Sequence, residues 1–310
     1  MDIFLQQIIN GLVIGSIYAL IALGYTMVYG IMQLINFAHG EIVMFGAMVT
    51  ITCINVLVGN HISLPGPLML VAGLVMAIPV SMLLGFAVER IAYRPLRRAP
   101  RLAPLITAIG VSIVLQQVAS LIWGRSYRPF PNILPQTVHN FYGAAITDLQ
   151  VAIIILAIVL MGALFYMIER TRLGRAMRAT AQNPEVAGLM GVNINSVISM
   201  TFVTGSALGA VAGVMVAANY DQAHPYMGFL IGLKAFTAAV LGGIGNLQGA
   251  VLGGITLGII ESLGSGYLGD LTGGFFLGSN YKDIFAFLVL ILVLVFRPSG
   301  LLGERVAERA

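Results

Sequence analysis

The chain has a single cysteine, two lysines, four histidines and one tryptophan, and only 9% of its residues are charged. Each scarcity removes a class of chemistry. Cys53 stands alone inside an apolar run, which excludes a disulfide framework and a cysteine-based metal site and leaves it a small packing residue. Lys234 and Lys282 follow no glycine in a GxxxxGK[ST] loop, so this chain cannot hydrolyse ATP by that route. His39, His61, His139 and His224 are scattered, with no HExxH and no close pair, which argues against zinc. No serine sits in a GxSxG elbow. The pattern is that of a non-catalytic chain with no bound metal or cofactor.

What is abundant is apolar surface. Hydrophobic residues make up 58% of the chain and the mean hydropathy is +0.95, more than a soluble domain of this length could bury. A polytopic, all-α membrane protein is expected. The net charge of +4 comes from basic residues in short connections, where membrane orientation explains them better than nucleic acid does.

Apolar stretches run at 8–29, 40–58, 67–88, 104–123, 149–168, 196–218 and 283–296, most near the length of about 20 residues that a helical span needs. Residues 227–264 are too long for one helix, and the break from Gly242 to Gly249 divides them into two spans or two discontinuous helices. Two spans there give nine in all, whereas a re-entrant break gives eight. The amino terminus has no basic residue before Arg90, so the first span is expected to be retained with its amino end outside. Nine spans then place twelve of the fourteen arginines on the cytoplasmic side, leaving Arg125 and Arg128 outside in the Pro-rich connection 124–148. That asymmetry favours nine. One transmembrane domain over 1–310 follows, with no fixed-period repeat.

The polar segment 169–195 interrupts this apolar chain with Arg170, Arg172, Arg175 and Arg178 and a helix-like centre, and reads as a docking surface on the inner side. Within it Asn183 is a candidate cap, Pro184 suits the first helical position, and Glu185 favours the positive helix end. Val186, Leu189 and Met190 then share one face. A short amphipathic helix lying on the bilayer is the competing reading.

Charge at membrane depth is sparse, being confined to Glu41, Lys234 and Glu261. Lys234 either snorkels or pairs with Glu261, and Glu41 either closes a turn beside Asn36 and His39 or handles a proton. Glycines recur at four-residue spacing as Gly205, Gly209 and Gly213, and as Gly245, Gly249 and Gly253, a pattern that lets helices approach closely within a bundle or at a subunit interface.

Four blocks carry a family resemblance: Ala19 to Ala47, Glu89 to Ile113, Arg172 to Asn193 and Gly232 to Gly254. Together, in this order and over nearly the whole chain, they resemble the LivH-type permease of bacterial branched-chain amino acid ABC transporters. The resemblance implies a type II ABC importer fold in the bacterial inner membrane, with the amino terminus periplasmic and the carboxyl terminus cytoplasmic. It implies a second, LivM-like permease, two LivG-like and LivF-like ATPases that bind ATP and magnesium, and a periplasmic leucine/isoleucine/valine-binding protein. The block from Ala181 to Gly191 matches the family's coupling helix, so Arg175, Arg178, Ala181, Asn183, Pro184, Glu185, Ala187, Gly188, Leu189 and Gly191 are expected to meet an ATPase. Asn36, His39 and Glu41 are the nearest candidates for a substrate path. A stand-alone carrier or channel for small neutral solutes is the alternative.

Overall fold

The computed structural model describes all residues except 1, 63, 98, 101, 134–136, 142, 272–280, 298 and 304–310. Lipid offers the backbone no hydrogen bonds, so apolar segments close theirs internally as helices. In chain order these are α1 (Asp2–Met32), α2 (His39–Gly59), α3 (Gly66–Val88), α4 (Leu102–Trp123), α5 (Asp148–Arg170), α6 (Arg172–Gln182), α7 (Pro184–Leu189), α8 (Ile194–Asn219), α9 (Met227–Gly242), α10 (Leu247–Leu271) and α11 (Lys282–Phe296). Among the described residues seven helices are long and apolar enough to cross a membrane: α1 to α5, α8 and α10. The chain is a multi-pass helical membrane protein. The apolar helices α9 and α11 are shorter, at 16 and 15 residues.

Burial separates the centre of the bundle from its rim. In the most apolar stretch of α1 and α8, 72% and 78% of residues are buried, against 22% in α4 and 28% in α3 and α5. The central helices meet nearly backbone to backbone. A Cβ added at Gly15 of α1 would stand 2.8 Å from the Ile255 Cα of α10, and one added at Gly46 of α2 would stand 2.5 Å from the Ala210 Cα of α8. Only small residues permit such approach, and dispersion over these contacts holds the helices where lipid gives no hydrophobic drive.

The connections sort to two ends. At one, Gln6 near the start of α1 exchanges side-chain hydrogen bonds with the Ala145 backbone, at 3.0 and 2.7 Å. There β2 (Val138–Phe141) pairs antiparallel with β3 (Ala144–Thr147), and β1 (Arg128–Pro129) with β4 (Gln222–Ala223). The connection 124–148 thus contains short extended strands. At the other end the α9–α10 turn is closed by the residues after α11, with Leu301 and Leu302 donating to the Leu241 and Gly242 carbonyls at 2.8 and 2.9 Å.

The glycine row that begins at Gly245 is shorter than its spacing suggests. Gly245 lies in the α9–α10 turn with φ +95°, before α10 begins, and an added Cβ there meets nothing within 4 Å. Its glycine serves a left-handed turn. Gly249 and Gly253 do pack, against the Gly242 and Ala238 carbonyl oxygens of α9. In the other row, an added Cβ at Gly205 or Gly209 would make only ordinary contacts, at 3.4 Å or more, whereas Gly213 abuts the Val43 backbone.

Candidate functional site

The polar segment after α5 folds into two short helices separated by the extended residue Asn183. Thr171 caps α6, accepting from Gly174 N at 3.1 Å. Gly174, Met177 and Thr180 face inward at three-residue spacing, which turns Arg172, Arg175 and Arg178 outward. Two of these arginines also bind backbone. The Arg178 guanidinium donates to the carbonyls of Ile168 and Glu169, and Arg175 donates to the Arg170 carbonyl at 3.3 Å. These are orphan acceptors at the carboxyl end of α5, where positive charge is also favoured.

Helix α7 starts on Asn183, whose Oδ1 accepts from Glu185 N at 3.0 Å and Val186 N at 3.1 Å, with Pro184 at the first position. It stops at Gly191, where φ is +85° and Val192 N returns to the Ala187 carbonyl at 3.0 Å. Ala187 is buried, while Ala181, Asn183, Pro184, Glu185 and Gly188 are exposed. The apolar residues of this turn point away from the protein: Val186 is 52%, Leu189 86% and Met190 81% exposed. Covering Leu189 or Met190 would gain about 1.5–3 kcal/mol, and the half-exposed Val186 less. Val186 and Leu189 on this six-residue helix, with Met190 at its carboxyl-terminal cap, form an apolar surface in a polar segment that a partner can cover.

Directly after α7, the start of α8 is bound to the end of α3. Beyond Val88 the chain runs through a π-helical turn, Glu89–Tyr93, and a 3₁₀ turn, Arg94–Leu96. The wide turn directs Glu89 inward, where it is 0% exposed. Its carboxylate accepts from Ser199 Oγ of α8 at 2.7 Å, from Arg94 Nε and Nη2 at 3.2 Å each, and from Arg97. Arg97 also donates to Asn195 Oδ1 at 2.6 Å. Partial burial lowers the Arg97 pKa, and the Glu89 charge opposes that shift. Sequence reasoning attributed these arginines to orientation alone and passed over Glu89. The available signal was a lone acid at the head of an arginine-rich connection.

Inside the helix bundle, Lys234 Nζ lies 2.7 Å from Glu261 Oε1 and 2.5 Å from Asp283 Oδ1, and Tyr18 OH donates to Glu261 Oε2 at 2.9 Å. Glu41 Oε1 accepts from Ser112 Oγ at 2.9 Å and Gln116 Nε2 at 2.8 Å, which ties α2 to α4. Asn36 accepts from Tyr93 OH at 3.0 Å, and the His39 ring meets Tyr25 edge-on at 5.0 Å. Asn36, His39 and Glu41 are all buried and line neither of the two clefts described for the protein. Their geometry is that of interhelical contacts. Among the described residues no group of three His, Cys, Asp or Glu side chains could hold a metal ion.

A family described as "Branched-chain amino acid transport system / permease component" matches residues 7–294. The chain is 45% identical over 310 residues to the high-affinity branched-chain amino acid transport system permease protein BraD of Pseudomonas aeruginosa, covering 99% of this chain and 98% of that one. It is 47% identical over 311 residues to the corresponding protein LivH of Escherichia coli, covering 99% and 97%. A probable LivH of Methanocaldococcus jannaschii is 28% identical over 305 residues, covering 97% and 94%. A match of this length leaves no segment of the bundle, α6 and α7 included, outside the similarity, and the chain belongs to the family of branched-chain amino acid transport system permease components.

Proposed function

We propose that this chain is the transmembrane subunit of an ATP-driven importer for branched-chain amino acids in a bacterial inner membrane. The observation that carries the reading is the near full-length similarity to permeases of that system. The exposed apolar turn of α7 supports it, since a subunit with no nucleotide-binding motif of its own must receive motion from another protein. The solute passes through a single domain, 1–310, built as a type II importer. Its crossings number nine, with α9 and α11 included. An odd number agrees with an amino terminus outside and a carboxyl terminus inside, because Arg90, Arg94, Arg97, Arg170, Arg172, Arg175, Arg178 and Arg297 then share the inner end.

The partners are a second, LivM-like permease, two ATPases of the LivG and LivF kind that carry ATP and magnesium, and an external amino-acid-binding protein. In this assembly α7 is the coupling helix. Its caps hold it as one rigid turn, and Ala187, packed inward, fixes which face it presents. Movement of an ATPase reaches α8 through α7 and then α3 through Glu89, Arg94, Arg97 and Ser199, biasing the bundle between two access states. No step in this chain makes or breaks a covalent bond.

Reconstitution tests the reading. The complete complex in proteoliposomes should accumulate radiolabelled leucine only when ATP is enclosed with the ATPases and loaded binding protein is present on the other side. ATP-independent uptake by this chain alone would point to a carrier and overturn the proposal.

A further inference from the structure

At the end opposite α7, helices α1, α9 and α11 and the α8–α9 connection enclose a cleft of about 220 Å³. Its charged groups are unevenly satisfied. Glu261 is 1% exposed, and its two oxygens are engaged by Lys234 and Tyr18. Lys234 also reaches Asp283, so one ammonium faces two carboxylates. The surplus negative charge falls on Asp283, whose side chain is 41% exposed against 2% for that of Glu261. The balancing cation is the neighbouring residue. Lys282 Nζ lies 5.0 Å above the Tyr220 ring and has no carboxylate partner among the described residues.

The cleft therefore presents a half-exposed carboxylate that shares its one described cation with Glu261, and an ammonium with no carboxylate partner among the described residues, on consecutive residues at the start of α11, beside an apolar wall that includes Ile14, Ile17 and Leu230. Lone ions satisfy one of the two charges. A molecule bearing both an ammonium and a carboxylate on one carbon, with an apolar side chain, satisfies both and covers the wall. An apolar pocket with a few oriented polar groups is the usual form of a small-molecule site.

We propose that this cleft is the receiving site for the transported solute, taking a zwitterionic amino acid with its ammonium at Asp283, its carboxylate at Lys282 and its apolar side chain against α1 and α9. The inference rests on the transport reading above and adds where the solute first touches this chain. Lys234 lies between Glu261 and Asp283, and Asp283 is the more exposed of the two carboxylates, so the unbalanced charge lies at the mouth of the cleft.

The test uses the complete transporter in lipid nanodiscs without binding protein, carrying Cys53→Ala and Ile231→Cys, with the new thiol in the cleft wall. L-Leucine should slow thiol labelling about threefold at twice its dissociation constant. Isopentylamine and 4-methylpentanoate, each lacking one of the two charges, should protect far less. Asp283→Asn and Lys282→Gln, each added to this background, should abolish leucine protection, and if one variant fails to assemble the other decides. Equal protection by all three compounds, no protection by leucine, or protection undiminished in an assembled variant would overturn the site. ATP-driven leucine uptake by the unmodified complex separates the two claims. Uptake without protection sinks only the cleft, whereas protection without uptake sinks only the transport reading.

Discussion

Ser199 of α8 donates to Glu89 of the α3 extension at 2.7 Å, joining the helix that follows α7 to a carboxylate fully withdrawn from water. Two guanidiniums share that carboxylate, with side-chain exposures of 23% and 18%. Removing it leaves both without their anion. Glu89→Ala should destabilise the protein by about 2–3 kcal/mol, below the usual range for a fully buried pair because the arginines retain some water. Glu89→Gln keeps the shape and one acceptor, and should cost less. Thermal unfolding in detergent measures both, and a midpoint for Glu89→Ala equal to that of the unsubstituted protein would show that the network holds nothing.

Gly188→Trp addresses α7. An added Cβ at Gly188 meets only the Ile194 side chain at 3.4 Å, an ordinary contact, so the substitution should leave the permease folded in the membrane. On a groove-bound helix the indole should abolish ATP hydrolysis stimulated by loaded binding protein, and uptake with it. On a helix lying in the bilayer interface an aromatic ring is welcome. Normal stimulation in the reconstituted variant would remove α7 from the coupling role.

Close helix approach can be tested by contrast. Gly249→Leu drives a side chain into the Gly242 carbonyl and should cost about 1–3 kcal/mol with reduced assembly. Gly162 on α5, where an added Cβ meets nothing within 4 Å, is the comparison. Gly162→Leu should be neutral in yield and uptake. Indistinguishable yields for the two variants would mean that the α9–α10 contact is not tight.

Sidedness can be read with single cysteines in a Cys53-free background. Glu185→Cys should react with an impermeant thiol reagent only from the inside, and Asn140→Cys in the β2–β3 hairpin only from the outside. Outside labelling of residue 185 would invert the orientation and remove the docking argument.

The helices were legible in the sequence because hydropathy is a local property summed along a segment. The apolar runs from 40 to 58 and from 67 to 88 recur within a residue or two as α2 and α3. The start of α7 was legible for the same reason, since Asn183 and Pro184 act on their immediate neighbours, whereas the stop at Gly191 was not read. Contacts between distant helices were not legible. Nothing local to Glu89 indicates Ser199, which is 110 positions away, and nothing near Lys234 indicates that Asp283 shares it. Gly245 shows the opposite failure, where a spacing that suits a helix row falls across a turn.

The hydrogen bonds from Arg175 and Arg178 to the end of α5 separate two properties that composition treats as one. Sidedness depends on the sign of a side chain, and lysine carries the same sign. Bridging the carbonyls of Ile168 and Glu169 depends on a planar fork with donors on separate nitrogens, which a lysine lacks. An Arg178→Lys protein would be inserted the right way round and still have a looser joint between α5 and α6. At Arg178 the choice of arginine over lysine is thus a matter of donor geometry as well as charge.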